Sequence, residues 1–354
     1  MKIVAVRAFI QHMALTKPYV IAYNTFTDVS IAFLEVELAN GIIGYGTGSP
    51  AEEVVGETTY TTLANLESDY VQTFVGKDIR HFQQLIFDAS VRFSNLPGTL
   101  AAIDIALHDA FGKWMGISIA QFYGQKIQSL PTSVTIGIKN VEETIQDAIE
   151  YKKLGFTILK VKTGIDVKED IERISAINKT FGNYFSIRVD ANQGYSINEL
   201  ETFIQSTKNW KLELIEQPLK VGTEKELQKL DESTRKILCG DESLKNPISA
   251  LQFAANQTFG IYNIKLMKCG GLISAKEIAT IANNGKIDLF WGCNDESIIS
   301  ITAALHIAYS CPNTKYLDLD GSLDLAEDIV KDGFIIDNGH MKINPQPGFG
   351  FNKI

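Results

Sequence analysis

The segments Thr157-Ile-Leu-Lys-Val-Lys162, Phe185-Ser-Ile-Arg-Val-Asp190 and Leu212-Glu-Leu-Ile-Glu216 decide the fold. Each is a short apolar run that ends on a charged residue, and a polar-capped amphipathic stretch separates it from the next. The same texture continues outward in both directions. Runs at Ser133–Ile138, Thr157–Val161, Phe185–Val189, Leu212–Ile215, Lys236–Gly240, Ile261–Ile264, Asp288–Trp291 and Tyr316–Leu319 make eight. They recur about every 24–29 residues, the length of one strand plus a crossover helix, which predicts parallel βα units and not hairpins. Helix starts are marked by Asp166 with Glu169, Ser196 with Glu199, Thr223 with Glu226, and Asn246 followed by Pro247. Eight such units normally close into a barrel.

The chain before this region reads differently. Residues 2–10 and 29–39 alternate apolar and polar, and Asn40-Gly41 predicts a tight hairpin into Ile42–Gly46. Helical periodicity follows over 57–74, 79–93 and 98–113, the last opened by Pro97-Gly98. Gly44-Tyr-Gly-Thr-Gly48 follows a hairpin and opens no βαβ unit, so a dinucleotide loop is excluded and a lid or turn beside the active site is expected. Three parts are therefore expected: an α+β domain over 1–125, the barrel over 126–320, and a proline-rich tail over 321–354 that returns to the first domain.

The excess of 42 Asp+Glu over 33 Lys+Arg, without any basic run, argues against nucleic acid and anionic membranes and leaves a small molecule as the partner. No uninterrupted apolar segment approaches the ~18 residues of a membrane span, and Arg7, Gln11 and His12 interrupt the N-terminal run before a signal core forms. Four scattered cysteines fit reduced thiols in a cytoplasm. The five histidines form no metal-binding spacing, which leaves any metal chemistry to carboxylates. An assembly of identical chains stays open.

A barrel enzyme builds its site at the carboxyl ends of the strands, and here those ends carry Lys160 and Lys162, Asp190, Glu216, Asp241, Lys265, and Asp318 with Asp320. An acid after a strand is usually a helix cap, but the caps are assigned to Ser196, Thr223 and Asn246, five to seven residues later. Three carboxylates converging on one rim repel unless a cation sits between them, and hard oxygen donors suit Mg²⁺, with Mn²⁺ as the alternative. Lys160 and Lys162, two apart on a strand, share a face and point into the barrel. Ammonium groups beside one another and a metal lose proton affinity, which suits a lysine to act as a general base. A purely structural ion-pair network of three lysines and three acids stays open on spacing alone.

Taken together, Lys160-Val-Lys162, Asp190-Ala-Asn192, Glu216-Gln-Pro218, Asp241-Glu-Ser243 and Asn263-Ile-Lys265-Leu-Met-Lys-Cys-Gly-Gly271 resemble the muconate-lactonizing subgroup of the enolase superfamily, as does Ala102–Asp109 with Gly112-Lys113. The resemblance implies an α/β fold: a modified TIM barrel, (β/α)₇β, under an N-terminal α+β capping domain. It implies Asp190, Glu216 and Asp241 as Mg²⁺ ligands. It also implies Lys162 and Lys265 as bases on opposite faces of the substrate, with Lys160 lowering the proton affinity of Lys162. Bases on both faces allow removal of a proton on one side and return on the other, as a racemase or epimerase requires.

Asp318-Leu-Asp320 resembles the pair with which dipeptide epimerases hold a free α-ammonium, so the expected reaction is Mg²⁺-dependent epimerisation at the C-terminal α-carbon of a dipeptide. Thr135, Cys293 and Asp295 match substrate-contact positions of such enzymes. Where an arginine grips a glutamate side chain in the Ala-Glu epimerases, this chain has Asn24, which weakens the case for an acidic substrate; Lys17 and Tyr19 keep it open beside neutral and apolar ones. Two alternatives stand beside epimerisation: a one-base cycloisomerisation or syn elimination on the same site, and a non-catalytic barrel stabilised by metal.

Overall fold

The computed structural model describes residues 1–20 and 25–354, with side chains described outside 18–26. The eight runs form one sheet of eight strands whose spatial order follows the sequence. The barrel strands, one to eight, are Val134–Ile136, Ile158–Lys162, Ser186–Asp190, Leu212–Glu216, Leu238–Gly240, Ile261–Ile264, Asp288–Trp291 and Thr314–Leu317. Every neighbouring pair is parallel. A parallel bridge between Thr132 and Leu317 joins the first strand region to the eighth, and the Ser133 N–H donates to the Leu317 carbonyl at 3.0 Å. Leucine, isoleucine and valine dominate because helices cover one face and the barrel core the other.

Strand eight ends two residues earlier than its apolar run suggests. The Leu319 N–H donates to the Thr132 hydroxyl instead of to a strand carbonyl, so the ladder stops there. Asp318 and Asp320 therefore stand on the loop after the strand and not on its face. Asp166, Ser196 and Asn246 cap their helices through the side chain. Thr223 does not: its hydroxyl donates to the Lys220 carbonyl, and only a 3₁₀ turn, Glu224–Lys229, follows.

The N-terminal part is a three-stranded antiparallel sheet, Ile3–Val20, Thr25–Leu38 and Ile43–Gly48, flanked by helices. The first strand runs ten residues beyond the alternating pattern as one side of a long ribbon. The helical stretch expected over 57–74 breaks into Thr59–Leu66 and Asp69–Gln72, with Ser68 extended between them. Gly44-Tyr-Gly-Thr-Gly48 is not a lid or turn but the third strand. Its alternate glycines meet the helix Pro97–Met115 along Gly98, Ala102, Ala106 and Ala110. Two strand residues span about 6.6 Å and four helical residues about 6 Å, so the two rows of small residues stay in step.

The tail returns to this domain. Gly348 packs on Gly112, the Phe349 N–H donates to Asp109 at 3.1 Å, and Lys353 pairs with Glu35 at 3.0 Å. Among the described residues no helix is long and apolar enough to cross a membrane. A Cβ on Gly46 would lie 2.0 Å from the Ala102 carbonyl oxygen, which is backbone and cannot swing aside. Gly46→Ala is therefore expected to cost about 1–3 kcal/mol through overpacking and to lower the thermal unfolding midpoint. An unchanged midpoint would show that strand and helix have room to part.

Candidate active site

Parallel register aligns the charged strand ends. Lys162 pairs with Asp190 and Asp190 with Glu216 across strands two to four, while Lys160 lies one layer deeper beside Arg188. Asp241 follows strand five. The three carboxylates are buried, none more than 2% exposed. Their charge is met by lysines. Lys160 Nζ lies 2.8 Å from Glu216, 2.8 Å from Asp318 and 3.2 Å from Asp190. Lys162 Nζ donates to Asp190 at 2.7 Å and to Asn192 at 3.2 Å, and Lys265 Nζ lies 3.0 Å from Asp241.

These partners divide the trio electrostatically. Burial opposes charge on all three. Lys162 and Lys160 nevertheless hold Asp190 down at about 2. Lys265 and Lys268 hold Asp241 below the usual carboxylate range. Glu216, buried beside Asp190 with only part of one ammonium, is pushed up to about 8. The expected loss of lysine proton affinity presupposes a metal beside the amines, whereas Lys160 and Lys265 face carboxylates. Burial opposes their charge too, yet the surrounding carboxylates outweigh it and hold both above the ordinary lysine value.

The donor chemistry fits a hard divalent cation, because three neighbouring oxygen acids can be ionised together only against concentrated positive charge. Glu216 Oε2, close to Lys160, receives no well-directed hydrogen bond, and the adjacent Glu242 Oε2 is buried without a donor. Among the described residues no three such side chains already converge on one point, so the fit lies in chemistry and placement.

Two connected hollows open over these residues and share Lys162, Cys293, Asn294 and Asp295. One is lined by Thr135, Lys160, Asp318, Asp320 and Asp324. The other holds Asp241, Lys265 and Lys268 beneath the capping-domain residues Asp28, Ser49, Glu52 and Tyr60. Asp318 is spoken for on both oxygens, by the Ser133 hydroxyl at 2.6 Å and Lys160 at 2.8 Å. Asp320 accepts the Thr135 N–H at 2.8 Å; burial, Asp318 and Asp324 keep it well above the usual carboxylate range. The Cys293 thiol receives the Gly321 N–H at 3.3 Å, and the Asp295 carbonyl receives the Ser49 hydroxyl at 2.9 Å, which ties cap to barrel. Asn24 and the Tyr19 side chain lie outside the described residues. Lys17 is paired with Glu150 at 2.6 Å.

Several residues here escaped the reading of strand ends. Lys268 caps Asp241 from the single helical turn Leu266–Cys269, donating to its carbonyl at 2.6 Å and pairing with its carboxylate. Asn263 donates to Glu216 at 2.5 Å from inside strand six. A polar residue within an otherwise apolar buried strand, and a lysine one turn beyond Lys265, are the signals that could have marked them.

Two family profiles cover most of the chain: the mandelate racemase/muconate lactonizing enzyme N-terminal domain over residues 3–124, and the enolase C-terminal domain-like family over residues 142–352. The chain belongs to this branch of the enolase superfamily, and it is an isomerase of the racemase and epimerase class. It is 48% identical, over the full length of both chains, to the L-Lys-D/L-Arg epimerase of Desulforapulum autotrophicum. The dipeptide epimerase of Methylococcus capsulatus, solved with Mg and the dipeptide L-Arg-D-Lys, superposes with a TM-score of 0.97 at 42% identity over 99% of each chain. The substrate-liganded L-Ala-D/L-Glu epimerase of Bacillus subtilis superposes with a TM-score of 0.95 at 28% identity, covering 100% of this chain and 99% of its own.

On the loop after strand seven, Glu296 is 3% exposed and accepts the Asn294 N–H at 2.8 Å; burial raises it from 4.5 to about 7. The unfolded chain gives up this proton above pH 4.5 while the folded chain keeps it to about 7. Its stabilising contribution is thus complete below the lower value and is lost as pH rises through the upper one. Glu296→Gln removes that dependence. The stability difference, variant minus wild type, is expected to grow by about 3 kcal/mol between pH 4 and pH 8 in denaturant titrations. A difference independent of pH would show that Glu296 is already charged in the folded chain.

Proposed function

We propose that this chain epimerises dipeptides bearing basic side chains, at the α-carbon of the C-terminal residue, with Mg²⁺ held by Asp190, Glu216 and Asp241. One observation carries the reading. Lys162 closes strand two and Lys265 follows strand six, four places apart in a ring of eight, and both line one cavity with the acid trio beside them. A planar carbanion between them is reached from one face by each amine. Removal of the α-proton by one lysine and delivery by the other inverts the centre; removal and return by the same lysine would not. Bound there, Mg²⁺ would supply the charge that stabilises the dianionic enediolate as it develops.

The remaining side chains divide the labour. Lys160 stays charged beneath the site and links Asp190 and Glu216 to Asp318. Asp320, with Asp318 beside it, receives the substrate's α-ammonium, and Thr135 orients Asp320 through its N–H. Cys293 and Asp295 border the α-carbon where the two hollows meet. The preference for basic side chains is supported by Asp28, Glu52 and Asp324 on the cavity wall and by the substrate named for the 48%-identical relative. It replaces the acidic, neutral or apolar preferences that the sequence left open. The cation that kept an acidic substrate in view, Lys17, is already matched by Glu150.

Incubation with L-Lys-L-Arg and Mg²⁺ in D₂O is expected to place deuterium at the C-terminal α-position and to yield both epimers, read by mass spectrometry and NMR. Lys162→Ala and Lys265→Ala should each depress epimerisation in both directions by at least about 10³-fold, because general acid–base steps of this kind contribute on that order. A Lys265→Ala enzyme with near wild-type turnover would favour one-base chemistry and sink this reading. Glu216→Gln is expected to weaken Mg²⁺ binding by about tenfold or more in calorimetry, while an unchanged affinity would place the metal elsewhere.

A further inference from the structure

Resting on the epimerase reading, we propose that Asp324 binds the side-chain cation of the dipeptide's first residue and makes that position selective for lysine or arginine. The charge pattern of the hollow around Asp318 and Asp320 leads to this residue. Lys17 is matched by Glu150 at 2.6 Å, Lys139 by Asp147, and Lys162 by Asp190 at 2.7 Å, while Lys160 holds Asp318 at 2.8 Å. Asp320 is engaged by a backbone N–H alone. Asp324 makes no hydrogen bond or contact ion pair through its carboxylate among the described residues. Among the described residues, Asp320 and Asp324 thus have no ammonium at ion-pair distance.

A dipeptide that begins with lysine or arginine brings two cations to this end of the cavity: the α-ammonium and the side-chain group. Asp320 answers the first. Asp324, four residues on, lines the same hollow and answers the second. Its position is held by backbone on both sides. The Leu323 N–H donates to the Asp320 carbonyl at 2.7 Å, the Thr16 N–H donates to the Asp324 carbonyl at 2.7 Å, and Leu15 bridges Leu325. A carboxylate on so fixed a segment costs little to order when a cation arrives. Burial, then Asp295 and Asp318, raise Asp324 to about 7 against the weaker pull of Lys17, which is itself paired with Glu150. A neutral first residue leaves it in that condition; a basic one relieves it.

The test compares kcat/KM for L-Lys-L-Ala with that for its neutral deamino analogue L-norleucyl-L-Ala, by deuterium uptake with Mg²⁺. The wild type is expected to favour the lysyl dipeptide, and Asp324→Asn to lower the ratio about tenfold to a hundredfold, mainly through KM, the range for losing a charge-assisted hydrogen bond. Asp324→Glu should restore most of it. A wild-type ratio near one overturns the proposal without need of any variant. So does an Asp324→Asn enzyme that loses both dipeptides equally, as it would if Asp324 served only as a counter-charge for Lys17. A wild type that exchanges deuterium into no dipeptide overturns the epimerase reading itself. Exchange that proceeds with a ratio unmoved by Asp324→Asn overturns only the assignment of Asp324.

Discussion

Three carboxylates lie side by side in the dry mouth of a barrel, and the rest of the site is arranged around the cost of that placement. Like charges at such short range and low effective dielectric cannot all ionise without positive partners. The chain supplies those partners from three directions. Lys160 and Lys162 rise from strand two, Lys265 follows strand six, and Lys268 reaches back from the turn beyond. Removing Lys160 leaves Glu216 without a contact ammonium, the kind of loss that costs about 3–5 kcal/mol when a buried pair is broken from one side, whereas Asp190 and Asp241 each have a second lysine. The same cluster that burdens folding is the one proposed to exchange its counter-charges for a divalent ion. Chemistry and strain thus reside in one set of residues.

The backbone shows how the acids are kept at the rim. Asn192 and Gln217, just beyond strands three and four, adopt φ of 40° and 33°, a region that ordinary residues seldom enter. Both are held there by side-chain bonds. Asn192 takes part through its N–H to Asp190 at 3.0 Å, and Gln217 accepts the Asp241 N–H at 2.9 Å. Asp190 is therefore held by the loop that leaves its own strand, and the backbone of Asp241 by the loop that leaves strand four. The capping domain completes the enclosure from outside, through Ser49 to Asp295 and Lys245 to the Val54 carbonyl.

The barrel was legible because its cause is local and repeated: an apolar run that recurs eight times, in most repeats followed by a polar end and a helix. The gathering of these acids and lysines at one rim was legible for the same reason, since each closes or follows an apolar strand and parallel register brings the ends together. What escaped depends on events between distant segments. The glycine row at 44–48 reads as a loop until the helix carrying Ala102 and Ala106 is laid against it. Strand eight was carried too far because Leu319 is apolar, whereas a hydroxyl from Thr132, far away in the chain, ends the ladder. Thr223 has the spacing of a helix cap yet bonds backward, a choice that local sequence does not express.

Substrate preference was the least legible feature, and the reason is physical. Proton transfer needs groups fixed to a few tenths of an ångström, which strands provide. Selection among side chains needs charge of the right sign somewhere on a wall, and loops from either domain can provide it. Asp28 comes from the capping sheet, Glu52 from the loop after it, and Asp324 from the segment beyond strand eight. No spacing rule joins these positions. The sequence shows only a surplus of acids, and that surplus acquires a direction once the lysines nearby are matched with their own partners. On the reading proposed above, the carboxylates left over describe the ligand by its missing charge: two positive groups at the end of the cavity where the first residue would lie.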